Sequence, residues 1–262
     1  MGGIDPEDTR IGGEAPVSLP PASRRWSGWM ILGGVFWIAA LILWAQEGVD
    51  QRVLFLFDPQ RASVSWLVHS SCWLSSYGLA SLSAIGVLCV LTASRFRYLD
   101  LPPAICLYVL CSLAVSGIAG DLLKLLIARP RPAMTYAGEI VALAEGITFS
   151  LPSGHTAKSV AIVLPFLVLI AGWRWQQAMI KGVIAVIVGG VCFSRLVLGA
   201  HYVSDVLAGV GMAFVGFPFS AWLASRMLRN VSRKRVPMLV RVWVGLFAIL
   251  AVVFALLGPR DW

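Results

Sequence analysis

Seven runs of apolar residues, at about 27–46, 66–93, 103–128, 156–173, 178–199, 203–228 and 238–258, occupy most of the 262-residue chain. A helix needs about 20 such residues to cross roughly 30 Å of hydrocarbon. Inside lipid the backbone must satisfy its own hydrogen bonds, so each run is expected to be helical. The chain is therefore predicted to be all-α: a polytopic transmembrane helix bundle with a six-helix core, a further C-terminal span and no separate soluble domain. Only 13% of the residues are charged, about half the share usual in soluble domains. Residues 47–65 mix Glu47, Asp50, Arg52 and Asp58 with Val53, Leu54, Phe55, Leu56 and Phe57. That mixture suggests a loop or a helix lying along the membrane interface.

The placement of charge predicts orientation. Arg24 and Arg25 precede the first run, Arg95 and Arg97 follow the second, and Arg174 and Lys181 flank the turn after the fourth. Arg226, Arg229, Arg233, Lys234, Arg235 and Arg241 lie around the loop before the seventh. If the helices alternate, all these cations fall on one side, which the positive-inside rule makes the cytoplasm. The net charge of +8 thus reads as topology rather than as a stripe for nucleic acid. Residues 1–25, rich in Gly, Pro and mixed charge, are expected to form a flexible cytoplasmic tail, and the first run to remain as an anchor. Cys72, Cys89, Cys106, Cys111 and Cys192 all fall inside apolar stretches without metal-type spacing, so they read as small buried hydrophobes.

Arg129, Arg131 and Arg195 break the charge pattern, because they lie at the opposite, cation-poor ends of the runs. They accompany three short strings: Lys124 with Arg131-Pro132 seven residues on; Pro152-Ser153-Gly154-His155; and Ser194-Arg195, His201 and Asp205. The third run ends, the fourth begins, the fifth ends and the sixth begins on the same face, so a compact bundle can gather the strings into one pocket. Pro130 and Pro132 are expected to break the third helix and turn Arg131 back toward the bundle. Lys124, Arg131 and Arg195 match the oxygens of a phosphate. Ser153 and Gly154 stand before an apolar helix whose first turn offers free N–H groups to an anion, and His155 follows directly. His201 and Asp205, four apart, face one side of a helical segment, so the carboxylate can orient the imidazole and leave its other nitrogen exposed as a nucleophile. His69 and Asp121 read as structural, the latter paired with Lys124 or with another helix; Lys158 reads equally as a snorkelling residue or a headgroup contact.

The strings resemble the three signature motifs of the type 2 phosphatidic acid phosphatase (PAP2) superfamily, and every motif position is filled. The resemblance implies a membrane lipid phosphatase, with residues 26–230 as its transmembrane core and 231–262 as a basic cytoplasmic loop and additional helix. It implies phosphoryl transfer without metal or other cofactor, through a phosphohistidine on His201, with Asp205 orienting that ring and His155 as general acid and then base. Lys124, Arg131, Ser153, Gly154 and Arg195 would hold the phosphate. The expected partner is a phosphorylated lipid of the bilayer: undecaprenyl diphosphate, lipid A 1-phosphate, phosphatidylglycerol phosphate or phosphatidic acid. The expected location is the inner membrane, with the site toward the periplasm or exterior. A lipid-to-lipid phosphotransferase with the same site and a lipid or anion transporter remain the alternatives.

Overall fold

The computed structural model describes residues 23–57, 66–78, 81–82, 105–137, 139, 149–169 and 175–229, with isolated positions between 238 and 252. The helices are α1 (Ser23–Ala45), α2 (Glu47–Leu56), α3 (described over residues 66–78), α4 (Ile105–Ile127), α5 (Pro132–Thr135), α6 (Gly154–Leu169), α7 (Trp175–Val197) and α8 (Val203–Arg229). No strand occurs among the described residues. Four stretches are long and apolar enough to cross a membrane: Trp26–Ala45, Leu107–Thr135, Gln177–Val197 and Val203–Met227. They coincide with the first, third, fifth and sixth apolar runs, and the chain is a multi-pass membrane protein. Residues 1–22 of the expected tail and most of the seventh run lie outside the described residues, and the last three residues of that tail form the start of α1.

The segment read as a loop or interfacial helix is helical in its first half, as α2. Its amphipathic make-up suits a membrane surface better than a span: Asp50 and Leu54 are buried while Leu56 is exposed. The fourth run begins earlier than its apolar residues alone suggest, at Gly154, which puts His155 in the first turn of α6.

The central element is α8. Just over half of its membrane-length window, 56%, is buried, against 11% for α1. Helices α1, α4 and α6 pack on it. Val160, Ala161 and Leu164 of α6 meet Ala213 and Phe217 of α8, with Trp29 of α1 beside them. The Trp29 and Phe214 rings stack at 5.5 Å, and Phe36 stacks on Phe214 at 5.8 Å. Outward-facing Ile31, Leu126 and Val186 are exposed, as a hydrocarbon-facing surface requires.

Small residues set the α1–α8 distance. A Cβ built on Gly211 would lie 2.8 Å from the Gly33 carbonyl oxygen, and one on Gly33 would lie 2.7 Å from that of Gly211. The two backbones touch at this crossing, which only side chains as small as glycine permit. A Gly211→Val substitution is expected to force the helices apart and destabilise the protein by about 1–3 kcal/mol, the usual range for overpacking. Thermal melting in detergent measures it, and an unchanged midpoint would refute the close crossing.

Candidate active site

The site is built from three chain reversals. The first follows α4, which carries Lys124 in its last turn. Ala128 closes the helix with its N–H on the Lys124 carbonyl at 2.9 Å and takes the left-handed conformation, with φ 51°. Pro130 cannot continue a helix, so Arg129 and Arg131 leave the α4 axis. Arg131 then precedes the short α5, which has Pro132 at its first position, and its Nη1 donates to the Ala200 carbonyl at 3.3 Å. The predicted return of Arg131 toward the bundle is thus present.

The second reversal enters α6. The Ser150 N–H donates to the Arg129 carbonyl at 2.8 Å, and the Ser153 N–H donates to the Asp205 carbonyl at 3.0 Å. These backbone bonds tie residues 150–153 to the other two strings. A Cβ on Gly209 would lie 2.7 Å from the Ser153 carbonyl oxygen, so glycine at 209 lets the start of α6 press against α8. The Lys124 ammonium stands 3.3 Å from the position a Gly154 side chain would take. Thr156 Oγ1 donates to Ser153 Oγ at 3.1 Å, and both hydroxyls are fully buried.

The third reversal joins α7 to α8. Gly199 has φ 62°, and its N–H bonds back to Leu196, while Ala200 and His201 N–H groups reach the Arg195 carbonyl at 3.1 and 3.3 Å. A glycine in this left-handed position is the common stop of a helix, and here it swings His201 into the bundle. Two residues later α8 begins, with Asp205 in its first turn.

His201 Nδ1 lies 3.4 Å from Asp205 Oδ2 and 3.5 Å from Ser150 Oγ. Asp205 is wholly buried and saturated with donors. Its Oδ2 accepts from Ser150 Oγ and, at 2.9 Å, from the Tyr202 N–H; its Oδ1 accepts from Arg129 Nη1 at 2.7 Å. The Tyr202 bond is half of a capping box, in which the third helical residue caps the residue before the helix. His155 is close enough to feel the charges of Arg195, His201, Lys158 and Lys124, and His201 those of Asp205, Arg195 and Arg131. The structure therefore brings the eight candidate site residues of the three strings into one cluster. Arg195 is buried, donates from Nη1 to Ser75 Oγ of α3, and keeps an Nε that has no hydrogen-bond partner among the described residues. A buried guanidinium N–H without a protein acceptor is able to donate to an anion's oxygen.

Outside the cluster, His69 is exposed on α3. Asp121 is exposed on α4 and acts on the Lys124 charge; Lys158 is exposed, with its Cε 4.0 Å from the position of a Cβ on Gly117. Sequence reasoning missed Ser150, Ser204 and Asp50, and it left Arg129 unassigned. Arg129 carried a usable signal, a cation on the cation-poor side.

A membrane-embedded helical bundle whose converging helix ends hold three cations and two imidazoles belongs to the proteins that handle phosphate groups at a bilayer. A PAP2 superfamily family model matches residues 105–227, so this segment of the chain is similar to that superfamily. Phosphatidylglycerophosphatase B of Bacillus subtilis (strain 168) is 26% identical over 183 residues, covering 66% of this chain and 80% of that protein. Sphingosine-1-phosphate phosphatase 1 of Rattus norvegicus is 34% identical over 92 residues, which span 34% of this chain and 21% of the relative. The fold is also similar to the crystal structure of a transmembrane PAP2 type phosphatidylglycerolphosphate phosphatase from Bacillus subtilis. The TM-score is 0.51 at 21% identity, over 80% of this chain and 98% of that one.

Burial pushes the His201 imidazole from its ordinary 6.5 down to about 4; the Asp205 hydrogen bond and charge oppose the shift, and Arg195 and Arg131 reinforce it. The ring is therefore neutral near pH 7, as a nitrogen nucleophile must be. Because the folded state binds fewer protons than the unfolded one between these values, its stability is greatest above 6.5 and falls as the pH drops toward 4. Acidification from about pH 7 to about pH 4.5 is expected to lower the melting temperature, and less so in His201→Asn. Equal losses in both proteins would refute a buried neutral His201.

Proposed function

We propose that this PAP2-type lipid phosphatase removes a phosphomonoester group from a membrane lipid by way of a phosphohistidine on His201, without a metal ion. The observation that carries the reading is the buried His201–Asp205 pair beside Arg131 and Arg195, with the open Arg195 Nε. His201 Nε2 attacks phosphorus in line while its Nδ1–H faces Asp205, whose carboxylate offsets the positive charge that grows on the ring. The bond from phosphorus to the lipid oxygen breaks, and His155 gives that oxygen a proton. His155 then takes a proton from water, which attacks the phosphohistidine and frees inorganic phosphate and His201. Lys124, Arg131 and Arg195 neutralise the oxygens of the transferring group, the work a metal would otherwise do. Ser153 and the Gly154 N–H complete the phosphate cradle at the start of α6.

Similarity to a phosphatidylglycerophosphatase along most of both chains favours a glycerophospholipid phosphomonoester, phosphatidylglycerol phosphate first. Undecaprenyl diphosphate, lipid A 1-phosphate and phosphatidic acid present the same terminal phosphate and are the alternatives. The distribution of Lys and Arg supports a site at the outer leaflet of an inner membrane.

Purified protein is expected to release inorganic phosphate from a panel of these lipids in the presence of a chelator, most rapidly from phosphatidylglycerol phosphate, and vanadate is expected to inhibit it. His201→Ala and His155→Ala should each abolish turnover, whereas His69→Ala should retain it. Strict dependence on added magnesium, or equal activity in all three variants, would sink the mechanism. Labelled phosphate that appears on an acceptor lipid would replace hydrolysis with phosphotransfer.

A further inference from the structure

Arg129 stands outside the phosphate cradle, buried between two carboxylates. Its Nη1 donates to Asp205 Oδ1 at 2.7 Å and its Nη2 to Asp50 Oδ2 at 2.9 Å. Asp50 is 2% exposed and Arg129 9%. The guanidinium lies 4.0 Å from the centre of the Tyr202 ring and 5.4 Å from that of Trp44. Nη1 also donates to Ser204 Oγ at 2.6 Å. Asp50 in turn accepts the Ser204 N–H at 3.0 Å and the Ser204 hydroxyl. Tyr202, the residue before α8, has no side-chain oxygen able to cap the next turn as Ser or Asp would. Asp50 supplies that oxygen from α2.

We propose that Asp50 and Arg129 are positioning residues that set how much of the Asp205 charge reaches His201. This inference rests on the phosphohistidine reading above. Arg129 alone would neutralise Asp205 and leave nothing to stabilise a positively charged ring. Asp50 takes half of the guanidinium fork, so the three groups keep one net negative charge, and the Asp205 oxygen nearest the imidazole carries it. In a buried site such a charge is poorly screened and acts strongly on its neighbour. The other groups facing His201 are Arg195 of α7, Arg131 after α4 and His155 of α6. All three remain unchanged in the variants below.

The test follows the acid limb of kcat/KM against pH, with lipid phosphate release as the assay, in D50N, R129Q and the double variant. In D50N the full Arg129 charge falls on Asp205, so the limb is expected to move to lower pH, and kcat to fall about tenfold, the equivalent of one pKa unit of lost stabilisation. KM should stay near the wild-type value, because neither residue lies in the phosphate cradle. R129Q leaves two facing carboxylates, so its limb should move to higher pH. The double variant restores one net negative charge, and its limb should return to the wild-type position. A loss of scaffolding alone would lower activity in all three without opposite shifts. Shifts of the same sign in both single variants, or unmoved limbs, would overturn the proposal, as would a double variant that keeps a displaced limb. Where one single variant fails to fold, as judged by thermal melting, the sign of the shift in the other decides. An active His201→Ala would instead overturn the phosphohistidine reading, whereas an inactive one with unmoved limbs overturns only the role of Asp50 and Arg129.

Discussion

Asp205 is the point through which the structure is held together at its working end. Its side chain meets His201, Ser150, Arg129 and its own helix terminus, while its backbone carbonyl receives the start of the α6 turn. A carboxylate buried inside a membrane protein is costly unless its charge is opposed and its lone pairs are filled. Both conditions are met by residues that come from separate elements. Satisfying this one group therefore draws the segment after α4, the segment before α6, the turn between α7 and α8 and the head of α8 into one place. Electrostatic need and geometric assembly are the same constraint here.

The rest of the bundle makes that convergence possible. Glycines at 33, 211 and 209 let α1 and α6 approach α8 to backbone contact, and the stops at Ala128 and Gly199 deliver the cations and His201 where the helices end. Long apolar helices supply a rigid frame, and the candidate site sits at their interrupted ends, where backbone groups would otherwise go unpaired.

Much of this was legible beforehand because membranes simplify the code. Apolar length gave four spans whose extents match α1, α4, α7 and α8, and the three polar strings could be expected to meet because they share one set of helix ends. Asp50 was not legible: an acid in a mixed-charge segment looks like a solvated surface residue until α2 is seen folded onto α8. Ser150 and Ser204 were equally silent, since a lone serine carries no spacing that announces its partner. Arg129 was visible as a cation on the wrong side, but nothing local said that it faces two carboxylates rather than a phosphate. The start of α6 at Gly154 was underestimated because polar first-turn residues are not counted by an apolar reading.

The region shared with the superfamily begins at residue 105, yet Arg129 is covered by Trp44 of α1 and bridged by Asp50 of α2, both upstream of it. The buried cluster around Arg129 therefore extends beyond the matched region. In this chain the helices leading into that region complete the buried charge cluster around the His201–Asp205 pair, through Trp44 and Asp50.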